Sequence, residues 1–177
     1  MREKIRQELL VRFPFQMQRR LPQFHRVDLG PEIDHFALWA WKLVDDLTLF
    51  ALLQAFDNRD HFVVEIGWSE NGDFPWWTLP SNPPKLEAPR FRLRLARLWA
   101  TGKLADHWQV VPDRLDAEPR SAVPNFKWSN APSAPPEVPE DEVLHRVAPL
   151  SENAVNKLVE FGLPVFRAVA AHRGVPF

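Results

Sequence analysis

Eighteen prolines against six glycines set the strongest limit on how this 177-residue chain can fold. Proline cannot continue a helix from its interior and cannot donate to a sheet ladder, so regular elements must fit in the gaps. Five prolines fall within 74–89 and seven within 112–139. Both stretches predict long irregular connections. The second reads as a Pro-rich, acidic loop or excursion over 112–140, with Phe126 and Trp128 as its only large apolar anchors.

Between the prolines, hydrophobic periodicity predicts a meander. Phe62, Val64, Ile66 and Trp68 alternate with Val63, Glu65 and Gly67, the period-two pattern of a strand over His61–Ser69. Phe36–Val44 and Leu47–Phe56 read as two further strands, joined by Asp45-Asp46, and Asp57-Asn58-Arg59-Asp60 supplies the next turn. Leu47–Phe56 is apolar on both faces, as a central covered strand requires. Its composition also suits a helix, and one long helix over 35–56 is the rival reading. Phe24–Asp28 adds an edge strand. Arg90–Trp99 fits either period; its length and Ala96 favour a helix that Gly102 would end.

Helices are expected at both ends. Ile5, Leu9 and Phe13 recur every fourth residue and predict a helix over 2–13, stopped or bent by Pro14. Ser151 is a plausible N-cap for a helix carrying Val155, Leu158 and Val159, broken by Gly162-Leu163-Pro164. A last helix follows with Pro164 near its first position, Phe166, Val169 and Ala170 buried and Gly174 at its end. The expected fold is therefore a single α+β domain over 1–177. Its antiparallel meander sheet has about four strands, packed by N-terminal and C-terminal helices, with long Pro-rich loops.

Composition excludes several chemistries. With no cysteine there is no disulfide, thiolate metal site or cysteine nucleophile. The formal net charge of −1 gives no pull towards nucleic acid or anionic lipid. Residues 1–26 carry seven Lys/Arg and two Asp/Glu, whereas Asp113–Glu142 carries seven acids and three bases, so the charge is polarised along the chain. Met1-Arg-Glu-Lys-Ile-Arg has no secretory apolar stretch, and Lys42, Asp45 and Asp46 interrupt the greasiest segment, so the expected location is the cytoplasm.

Motifs for chemistry are sparse. The scattered glycines form no phosphate loop, and the six histidines (25, 35, 61, 107, 145, 172) are isolated, without metal-ligand spacing. Ser69, at a strand end, lacks a nucleophile elbow. No metal or other cofactor is expected. Asp45-Asp46 and Glu140-Asp141-Glu142 are adjacent carboxylates that project apart into water. Glu65 differs, because it stands mid-strand beside the missing side chain of Gly67. If that face is covered, Glu65 needs a partner such as an arginine from the run Arg90, Arg92, Arg94.

The most suggestive feature is a set of aromatics beside prolines: Trp68, Phe74, Trp76 and Trp77 around one turn, and Phe126 with Trp128 in the excursion. Tryptophan is enriched among residues that dominate interface energies. The run Phe62–Ser69 (FVVEIGWS), preceded by a hairpin and followed by the Asn71-Gly72 turn and Phe74-Pro75, resembles small bacterial α+β domains known only as uncharacterised. Some such domains act as immunity proteins that plug the active site of a toxin. The resemblance covers residues 20–77 and assigns no site residues.

The leading expectation is thus a non-enzymatic protein-binding domain, for instance an immunity-type inhibitor of a toxin. Its contact residues would be the six aromatics named above together with Glu140, Asp141 and Glu142, whose charge would complement a basic cleft. One alternative is a small-molecule-binding protein or enzyme with an aromatic pocket over the sheet, using Glu65 and His61. Another is a structural subunit of a larger assembly. The expected partner is another protein, not nucleic acid and not a membrane.

Overall fold

Five consecutive antiparallel strands, in the spatial order of the sequence, carry the architecture. The computed structural model describes residues 2–30, 35–55, 61–99, 108–110 and 139–177. The turn at 57–60, Gly102, Phe126, Trp128 and the excursion at 112–138 lie outside the described residues. The strands are β1 (His25–Val27), β2 (Phe36–Val44), β3 (Leu47–Ala55), β4 (His61–Ser69) and β5 (Arg90–Arg94), and a two-residue β6 (Trp108–Gln109) pairs with the start of β4. The fold is the expected α+β meander, with β5 and β6 added to the strands anticipated.

The segment 36–55 is a hairpin, not a helix. Val44 faces Leu47 across the Asp45-Asp46 turn, and Leu38 faces Leu52 further along. Every residue of β3 is buried, since β2 and β4 flank it and both of its faces are covered. Helix-forming leucines are overruled there because strand pairing buries them on two sides at once.

Arg90–Arg94 corrects the helix preference: it is a strand, paired with β4 from Ser69↔Arg90 to Glu65↔Arg94. Phe91 and Leu93 enter the core while the arginines take the opposite face. A short 3-10 turn, Leu95–Leu98, follows, with Leu95 and Ala96 buried.

The N-terminal helix α1 spans Arg2–Arg20 and runs through Pro14. Proline inside a helix costs about 3 kcal/mol or more. Here the four-residue stripe continues beyond it: Ile5, Leu9, Phe13, Met17 and Leu21 are each at most 3 % exposed. Burial of Met17 and Leu21 offsets the lost backbone bond.

At the other end, α2 covers Glu140–Lys157, so Ser151 is a buried interior residue and no N-cap. A five-residue π turn, Leu158–Gly162, then passes into α3 (Leu163–His172). Gly162-Leu163-Pro164 therefore does not break the helix. The wide turn places Pro164 in the first turn of α3, where a missing N–H goes unneeded. A Cβ on Gly162 would come within 2.6 Å of Leu158 Cδ1, so any larger residue there would make the Leu158 side chain shift. Phe166, Val169 and Ala170 are buried, and Gly174, with φ +66, ends the helix.

α1 packs on α2, and the helices roof one face of the sheet. The core beneath them is rich in paired rings. Phe13 meets Trp39 at 5.3 Å, Phe24 meets Phe166 at 5.8 Å and Trp68 stacks on Phe91 at 4.7 Å between centroids. Among the described residues no helix is long and apolar enough to cross a membrane.

Candidate functional site

Strand alternation sends Leu38, Phe50 and Leu52 to the face away from the helices. Among the described residues no helix covers them. The loop that leaves β4 folds back over this second face instead, burying Phe74 and half-burying Trp76. Phe74 meets Phe50 edge-on at 5.6 Å and Trp76 at 4.7 Å, and Trp76 in turn meets Phe36 at 5.5 Å.

The loop is built by local hydrogen bonds. Asn71 Nδ2 donates to Asp73 Oδ2 at 2.9 Å, and Gly72 takes the positive φ of +80 that the turn needs. Thr78 N donates to Pro75 O at 3.0 Å. Beyond Trp76 two large apolar side chains stand in solvent: Trp77 is 96 % exposed and Leu79 85 %.

Between this loop and β1–β3 lies an open cleft of about 460 Å³. Its floor is Leu38, Ala40 and Phe50, its far edge Val27 and Leu29, and its wall Phe74 to Thr78. Arg90 and Asp73 supply one charge of each sign at its lining.

Glu65 lies on this second face, opposite Leu52 on β3 and Arg94 on β5. Its side chain is 1 % exposed. Arg92 Nε donates to its carboxylate, and Arg94 Nε stands 3.8 Å from its other oxygen. The arginine partner anticipated for a covered Glu65 is present. Arg92 does more, because its Nη1 donates to the carbonyl of Trp76 at 2.9 Å and its guanidinium lies 5.4 Å from the Phe74 ring centre. Gly67, the cross-strand neighbour of Arg92, leaves the surface bare beneath it. A Cβ at Gly67 would meet Phe91 O at 2.5 Å.

The residues singled out in the sequence are only partly brought together. Phe74, Trp76 and Trp77 share the loop. Trp68 does not join them: its even position on β4 turns it into the helix-covered core, fully buried, where Nε1 donates to Ala88 O at 3.0 Å. Phe74 is 5 % exposed and serves as the plug of the second face, with one edge at the cleft wall.

Glu140 opens α2, and Asp141 and Glu142 are exposed in its first turn, where carboxylates favour the helix dipole. Glu142 pairs with Arg146 one turn on. Because α2 belongs to the helix layer, these acids and the tryptophan loop belong to opposite faces of the sheet.

Glu65 and His61 do not line the cleft. They stand four residues apart on β4, roughly 13 Å at strand rise. Ser69 Oγ is buried without a hydrogen-bond partner, so it has neither an activating base nor access to substrate. Among the described residues no group of three His, Asp or Glu could hold a metal ion. The sequence missed Leu79, which lacks any periodic context, and offered Arg90 only as a partner for Glu65; its place at the cleft depends on β5 being a strand.

Comparison with protein-family models, with curated proteins and with solved structures finds no match to this chain.

Proposed function

We propose that this chain is a non-enzymatic protein-binding domain whose contact surface is the loop Phe74–Leu79 and the cleft beside it. One observation carries the reading: an indole 96 % exposed at Trp77, next to Leu79, on a loop pinned to the sheet at Phe74 and Trp76. Large apolar side chains held in water cost hydration free energy with no return to the fold. Gathered beside a cleft, they suit burial against a partner. The partner of the specific form we favour is a toxin, with this domain as an immunity-type inhibitor.

The test is site-specific photo-crosslinking in the source cells. A benzoylphenylalanine at position 77 is expected to capture a defined protein that the same group at the exposed helix position 152 does not. Binding of that protein, measured with purified components, is expected to weaken about 30-fold in Trp77→Ala, the scale of a tryptophan hot spot. Equal capture from both positions, or none from position 77, would refute the reading.

The cleft itself supports a second reading, a small-molecule site, because about 460 Å³ lined by Leu38, Phe50 and Trp76 is of ligand size. Arg90 and Asp73, not Glu65 and His61, would supply its polar contacts. Ligand-detected NMR against a fragment library separates the two. Hits displaced by the substitution Ala40→Trp at the cleft floor would favour this reading.

A further inference from the structure

The second face contains a charge pair that nothing in its own strand pairing requires. Glu65 and Arg92 are 1 % and 11 % exposed, and two isolated ions at such depth would be costly to desolvate. The planar guanidinium of Arg92 reaches in two directions, Nε to the Glu65 carboxylate and Nη1 to the Trp76 carbonyl. A lysine, with a single nitrogen, cannot span both in that fork. Phe74 covers the guanidinium. The chain from Glu65 through Arg92 to Trp76 thus joins the centre of the sheet to the residue just before the exposed indole.

We infer that Glu65 and Arg92 are positioning residues that hold the loop Phe74–Leu79 against the sheet, so that Trp77 is presented in a fixed place. Its consequence for affinity rests on the loop being the contact surface. The positioning itself belongs to the free protein. The carboxylate fixes the guanidinium, and the guanidinium fixes the Trp76 carbonyl.

Amide hydrogen exchange of the purified full chain, with no partner present, tests it. In Glu65→Leu/Arg92→Met the buried pair is replaced by apolar groups of similar volume, a change that often leaves stability intact. The amides of Trp76 and Thr78 are expected to exchange at least about tenfold faster, the scale of one lost charge-assisted hydrogen bond. Amides of β4 should keep their wild-type rates. Arg92→Lys, which keeps the charge beside Glu65 but loses the second arm, should also quicken the loop, and it serves alone if the double variant does not fold. Wild-type exchange at 76 and 78 in either folded variant would overturn the inference. A positive crosslink at position 77 with unaltered loop exchange would refute the positioning role while sparing the binding surface, and the converse result would do the opposite.

Discussion

The two faces of the sheet are covered by different means. Towards the helices, Trp39, Trp68, Phe62 and Phe91 share one core with apolar residues of α1, α2 and α3, and among the described residues no carboxylate is buried there. Towards the loop, a smaller set of Leu38, Phe50, Leu52 and Phe74 shares its cover with a buried carboxylate and a guanidinium. The first face gains stability from area alone, which is forgiving of detail. The second gains position, since a hydrogen-bonded charge pair holds only one geometry. An exposed tryptophan is found on the second.

Three substitutions probe that contrast. The largest effect is expected on the helix face: Trp68→Ala removes a fully buried indole stacked on Phe91 and should cost about 3–5 kcal/mol, read as a lower urea midpoint by circular dichroism. An equally large loss from Trp76→Ala would break the contrast. Next is Gly67→Ala, which presses a methyl towards the Phe91 carbonyl and should cost about 1–3 kcal/mol through displaced backbone. Chemical-shift changes should centre on β5 and the loop it supports. Smallest is Trp77→Ala, expected to alter stability by no more than about 0.5 kcal/mol in thermal melts. A drop well beyond that would mean the indole packs on its own chain in solution.

Much of the frame was legible because it depends on local pattern. The alternation of 61–69 and the paired apolar runs at 36–44 and 47–56 predict strands at nearly their observed limits. Phe166, Val169 and Ala170 were identified as buried from helical spacing. Pro14 is the exception: it lies inside a continuous helix, because burial of Met17 and Leu21 outweighs one missing donor, whereas Pro164 stands in the first turn of α3, as expected. The candidate site was harder to read. Trp68 was grouped with Trp76 and Trp77 by nearness in sequence, yet strand parity alone assigns it to the other side.

Local pattern is enough to predict a cysteine-free α+β meander, the greasy nature of its central strand and the need of Glu65 for a cationic partner if covered. These follow from side-chain period and from the cost of burying a charge, both local properties. That Arg90–Arg94 is a strand, that Arg92 is the partner, and that Trp76 is held while Trp77 is left in water emerge only once the chain is folded. Such choices depend on which backbone lies 4.8 Å or so across the sheet. That neighbour is set by residues sixteen or more positions away, beyond the reach of any periodic pattern.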